Sequence, residues 1–96
     1  MPKYTEAGLN AALAILTGWT VENGELIKVF ELGSYADHLA FVNAVGRIAD
    51  RLDHHPDIVL TYPSVQFALS THSEGGITKK DTDLAAKIDQ VALLFG

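Results

Sequence analysis

The chain has 96 residues, no cysteine, 48% hydrophobic residues and a formal net charge of −5. The missing cysteines exclude disulfides, thiolate nucleophiles and Cys-based zinc sites, and an acidic chain without a basic run offers little to a phosphate backbone, so no direct nucleic-acid partner is expected. The N-terminal MPKYTEAGLN lacks the basic and apolar regions of a signal peptide, and the longest aliphatic run, Ala11 to Leu16, is far too short to span a bilayer, so the chain reads as soluble, cytoplasmic and without a membrane partner.

Residues 1–96 show no repeat, low-complexity segment or linker and read as a single domain. A domain of this size buries only about two thirds of the surface its unfolded form exposes. Its generous apolar fraction therefore points to cover by a second copy of the chain, as a homodimer or larger homo-oligomer.

The first helix is predicted from Glu6 to about Leu16, with Thr5 as its N-cap, Leu9, Ala12, Leu13 and Leu16 on one face and Gly18 just past the end. Trp19 to Glu22 and Glu25 to Leu32 flank Asn23-Gly24, the dipeptide best suited to the positive φ angles of a tight hairpin. In the second of these strands Leu26, Phe30 and Leu32 share a mostly apolar face with Lys28. Ser34-Tyr35-Ala36-Asp37 has the form of a capping box, and from there Leu39, Val42, Val45, Ala49 and Leu52, with Ile48 beside them, describe a long amphipathic helix ending by Asp53. His38, near its start, reads as a surface residue. Pro56 enforces the stop, because the residue before a proline is driven out of the α region, which leaves His54 and His55 in the connection. Strands are predicted at Ile58 to Tyr62 and, after a turn at Pro63-Ser64, at Val65 to His72, where Val65, Phe67, Leu69 and Thr71 alternate with Gln66, Ala68, Ser70 and His72. Gly75-Gly76 leads to a last helix carrying Leu84, Ala85, Ile88, Val91 and Ala92, with Thr78-Lys79-Lys80-Asp81 as its capping box. The order α-β-β-α-β-β-α implies an α+β two-layer sandwich: a four-stranded antiparallel sheet with three helices.

Histidine exchanges protons near neutrality, and His54, His55 and His72 all fall at irregular or terminal positions. If a helix end and a strand end meet at one edge of the sheet, these imidazoles line one cleft, with Asp50, Asp53, Ser70, Thr71 and Asp81 able to fix tautomers and bind a polar ligand. Taken alone, the His54-His55 pair reads as a solvated loop rather than a site, and Trp19 reads as core although a wide ring also suits stacking on a flat heterocycle. No metal site is expected, since adjacent histidines lack the i, i+4 spacing that aims two rings at one ion. Lys79 and Lys80 oppose the charge preference of a helix start.

Read as a whole, the spacing Asp50-x3-His54-His55-Pro56-x5-Tyr62-x9-His72-x8-Asp81 resembles the signature of the pterin-4a-carbinolamine dehydratase family, and the resemblance runs from Gly18-Trp19 through Phe30 to Ile88-Asp89-Gln90-Val91-Ala92. It implies a hydro-lyase that removes water from 4a-hydroxytetrahydrobiopterin to give quinonoid dihydropterin, recycling the pterin cofactor of aromatic amino-acid hydroxylases and needing no cofactor of its own. By the same match, His54, His55 and His72 are the catalytic residues. Asp53, His54 and His55 form one side of the pterin site, with Ser70, Thr71, His72 and Ser73 on the other and Trp19 nearby, and Asp50 and Asp81 support the histidines. His54 and His72 are expected to exchange the protons while His55 orients the ring. The family's sheets join in a dimer, with tetramers in some members. Asp50 stands where many members carry Glu, and Ser73 where a longer polar residue is common. An alternative role is that of a protein-binding dimerisation cofactor, coactivator-like, as in mammalian members.

Overall fold

The computed structural model describes residues 2–95. Helix α1 (Glu6–Leu13) leads to strands β1 (Thr20–Glu22) and β2 (Glu25–Phe30), the long helix α2 (Tyr35–Leu52), strands β3 (Asp57–Leu60) and β4 (Val65–Leu69), a single 3₁₀ turn at His72–Glu74, and helix α3 (Lys79–Ala92). The strands form one antiparallel sheet in the order β1-β2-β4-β3. The α+β sandwich and its element order agree with the sequence expectation.

Local chemistry explains most of the boundaries. Asn23 and Gly24 both adopt positive φ, 52° and 77°, which closes the β1–β2 hairpin without splaying its strands. Helix α1 stops at Leu13, short of Leu16, because its last turn tightens: the Ile15 and Leu16 amides bond three residues back, to Ala12 and Leu13. Gly18 then turns the chain at φ 88°, and a Cβ there would lie 2.9 Å from Cε of Lys28. Strand β3 ends at Leu60 rather than Tyr62, since the Thr61 amide already bonds the Ser64 carbonyl across the turn.

Leu26, Phe30, Val65, Phe67 and Leu69 supply the buried face of the sheet, and Leu26 lies opposite Leu69 as Phe30 does Val65. Helix α2 covers this face with Phe41, whose ring meets Phe30 and Phe67 edge-on at centroid distances of 5.1 and 5.3 Å. Its buried stripe is His38, Phe41, Val45 and Ala49. The helix is therefore rotated from the expected face: Val42 and Ile48 are half-buried, while Leu39 and Leu52 are exposed. Lys28 sits on the apolar face because its charge is satisfied there, by Asp89 Oδ1 at 2.9 Å and the Thr17 carbonyl at 2.8 Å, with its Nζ 4.7 Å from the centroid of Phe30.

His38 is buried, contrary to the surface reading. Its Nε2 accepts the Leu32 amide at 3.0 Å, so the ring proton lies on Nδ1, which has no hydrogen-bond partner among the described residues. The ring ties the end of the β2 segment to the first turn of α2. No helix among the described residues is long and apolar enough to cross a membrane.

Candidate active site

Helix α2 ends in a Schellman arrangement. Asp53 takes the left-handed conformation, φ 50° and ψ 44°; its amide bonds the Asp50 carbonyl at 3.2 Å, and the His54 amide reaches back to that of Ala49 at 3.1 Å. Aspartate is among the few non-glycine residues that tolerate this geometry. Past that reversal Pro56 drives His55 out of the α region, and consecutive side chains of a non-helical segment can point to opposite sides. His54 accordingly meets α3 while His55 turns back to α2. Two adjacent histidines thus acquire different partners.

His54 Nε2 lies 2.5 Å from Oδ1 of Asp81, a fully buried residue in the first turn of α3. The other oxygen, Oδ2, accepts the Thr71 hydroxyl at 2.8 Å and the Thr78 amide at 2.9 Å. The amide bond belongs to the capping box of α3, in which Thr78 and Asp81 cap one another. Asp81 is thus a structural cap and a histidine partner at once. A carboxylate only accepts, so Nε2 of His54 carries the proton, and in the neutral ring Nδ1 is left as the atom that takes one up. His54 is mostly buried yet lines a depression of about 320 Å³ between the end of α2 and α3, with Leu52, Lys80 and Gln90 on its walls.

His55 Nε2 bonds Oδ1 of Asp50 at 3.0 Å, but both side chains are largely exposed. His55 and Asp50 line a separate, shallower surface beside Gly46 and Ile58. His72 was expected to end a strand and does not. Strand β4 stops at Leu69, Thr71 pairs instead with Gly76 of its own loop, and His72 opens the 3₁₀ turn, which Gly75 closes at φ 72°. It is exposed and lines a third depression with Ser70, Gly75 and the Asn23-Gly24 turn. The three imidazoles therefore line three depressions of this single chain. What joins the two chain segments is Asp81, which holds His54 on one oxygen and Thr71, the neighbour of His72, on the other.

The remaining expected site residues divide clearly. Thr71 is buried and spends its hydroxyl on Asp81. Ser70 is half-buried, while Ser73 and Asp53 are exposed. Trp19 is core, 5% exposed, and its indole N–H is committed to the Asp89 carboxylate at 3.0 and 3.1 Å; it lines none of the three depressions. Thr78 was legible as a cap but not as part of this network, and its signal is the capping box shared with Asp81. Lys79, unexplained at a helix start, pairs with Asp83 one turn on at 2.9 Å, and that hydrogen bond and charge raise its pKa. Among the described residues no three His, Cys, Asp or Glu side chains gather as a metal ion would require.

Residues 2–91 match the family described as Pterin 4 alpha carbinolamine dehydratase. The chain belongs to that family. A relative from Chloroflexus aurantiacus, named “Putative pterin-4-alpha-carbinolamine dehydratase”, is 42% identical over 95% of this chain and 98% of its own. One of the same name from Mycobacteroides abscessus is 45% identical over 93% and 95%. Among solved structures, a transcriptional coactivator/pterin dehydratase from Brucella melitensis superposes with a TM-score of 0.90 at 32% identity, covering 94% of this chain and 98% of that one. A pterin dehydratase-like protein described as a RuBisCO assembly factor in the alpha-carboxysome gives 0.64 at 27% identity, over 77% and 86%. Proteins described by catalysis and a protein described by assembly thus share this fold.

Proposed function

We propose that this chain is a 4a-hydroxytetrahydrobiopterin dehydratase, a hydro-lyase that works by histidine acid–base catalysis and recycles the pterin cofactor of aromatic amino-acid hydroxylases. The observation that carries the reading is the His54–Asp81 pair, since a buried carboxylate that fixes one ring proton is what a histidine base needs. In the reaction the N5–H proton leaves, the N5 electron pair forms the double bond to C4a, and the C4a–O bond breaks as its oxygen receives a proton and departs as water. The electrons balance without an oxidant. His54, through Nδ1, removes the ring-nitrogen proton. The scheme requires the bound pterin to bridge the three depressions: His72 supplies the proton to the leaving oxygen, and His55, steadied by Asp50, orients the ring. Asp81 stabilises the imidazolium that forms on His54.

Stopped-flow absorbance of carbinolamine decay, with catalytic amounts of protein, tests the reading. Each acid or base contribution is worth roughly 10²- to 10⁴-fold, so His54→Ala and His72→Ala should each slow turnover by that order while far-UV dichroism stays unchanged. Parental rates in both variants would sink it.

A second reading, a protein-binding role, is favoured by the coactivator and assembly-factor descriptions of the two structural relatives and by the exposed Leu39, Leu52, Leu93 and Leu94 on this chain. Assembly as a homodimer or homotetramer is proposed through these exposed apolar residues. Light scattering at micromolar concentration should report at least a dimer, and a monomer would defeat the assembly. Protein with no carbinolamine turnover at all, yet stably folded, would favour the binding role over the enzyme.

A further inference from the structure

Asp81 is held by a chain of two threonines, and the direction of each hydrogen bond in it can be read from donor counting. Thr71 has one hydroxyl proton, and it goes to Asp81 Oδ2 at 2.8 Å. The 2.8 Å bond between Thr71 Oγ1 and Thr78 Oγ1 must therefore use the proton of Thr78. Thr78 also accepts the Lys80 amide on the same oxygen, at 3.2 Å, and donates its own amide to Oδ2. Every one of these groups is buried except the Lys80 backbone's neighbourhood, and Thr78 and Asp81 are both at 0% exposure.

From this wiring we infer that Thr78 is a positioning residue for the proposed reaction: it fixes the Thr71 hydroxyl toward Asp81, which leaves Oδ1 free for His54 Nε2–H alone. The consequence reaches the ring two bonds away. With Oδ2 saturated by two donors, Oδ1 is the remaining acceptor, and His54 is held as the tautomer whose Nδ1 takes the substrate proton. Were the Thr78 hydroxyl absent, Thr71 Oγ1 would lose its donor and the threonine would be free to rotate. Where the Thr71 proton then turned away, Oδ2 would keep only the Thr78 amide, the carboxylate could rotate, and the ring would lose the fixed acceptor that sets its tautomer. Bonds within a buried polar network support one another in this way, so loss of one is felt by the rest.

The inference rests on the reading of His54 as a base, and the experiment separates the two. Thr78→Val preserves the shape and the backbone amide but removes the hydroxyl; Thr78→Ser restores it. The first readout needs no turnover: the ring-nitrogen chemical shifts of the neutral His54 ring should report a single Nε2–H tautomer in the parent and in Thr78→Ser, and a tautomer mixture in Thr78→Val. The second is kinetic. Thr78→Val should lower kcat about tenfold, with KM unchanged, for one lost buried hydrogen bond, and Thr78→Ser should recover most of it. Because the same hydroxyl caps α3, Thr78→Val is also expected to be less stable, so both readouts are taken well below its melting temperature. An unchanged tautomer in Thr78→Val overturns the positioning role whatever the kinetics. A shifted tautomer with kcat unchanged overturns the catalytic use of His54 while leaving the wiring intact.

Discussion

His54 and His55 are neighbours in the chain and each sets Nε2 against an aspartate, yet the Asp81 side chain is wholly buried whereas that of Asp50 is 80% exposed. The exposed pair lies in water, where screening and side-chain entropy reduce such a contact to about 0–1 kcal/mol. Burying Asp81 is costly, and only complete hydrogen bonding offsets the cost. Thr71, Thr78 and His54 together provide it. The difference between the regions therefore lies less in the ion pairs than in what surrounds them. One pair is a surface contact that can come and go, and the other is built into the packing of β4's loop against α3.

Substitutions can break this contrast in graded steps. The largest effect should come from Asp81→Ala, which strands three donors, each worth about 1–3 kcal/mol when left unpaired and buried. A loss of at least about 3 kcal/mol in urea denaturation is expected, together with loss of turnover. Parental stability would mean that the carboxylate is not the hub described. Next is Asp53→Gly, which removes the cost of a side chain at positive φ and should raise stability by up to about 1 kcal/mol, as a melting-temperature increase, with both histidine pairs kept. A decrease would show that the Asp53 side chain contributes more than its backbone strain costs. The smallest is Asp50→Ala: within about 0.5 kcal/mol of the parent in the same denaturation assay, because the pair is solvent-screened. If Asp50→Ala destabilised as much as Asp81→Ala, the distinction between the pairs would fail.

Much of this was written in the sequence, and the exceptions have causes. Asn23-Gly24, the Thr78 capping box and the alternation of Val65, Phe67, Leu69 and Thr71 are local signals, and the structure realises each of them. Signals that depend on partners distant in the chain were not legible. Helix α2 carries apolar residues on more than one stripe, and it is the aromatic cluster of Phe30, Phe41 and Phe67 that chooses which one faces the sheet. His38 reads as a surface residue for the same reason, since its acceptor role is created by the Leu32 amide just past the end of β2. At the candidate site, spacing marked His54, Asp81 and Thr71, and the structure brings these together. The alternation already set Thr71 inward and His72 outward; it could not show that the Thr71 hydroxyl serves Asp81, or that His72 sits on a 3₁₀ turn of its own.

The left-handed residue at 53 has a consequence for how this segment can change over time. Because the destinations of residues 54 and 55 follow from odd and even places along one short ribbon, adding or deleting a single amino acid there would exchange their neighbours, pushing the wrong ring toward the interior acid. Point substitutions at that bend can be absorbed one at a time, whereas a frame slip of one cannot. Its length should therefore be the most tightly constrained property of the segment, tighter than the identity of any residue in it other than the histidines.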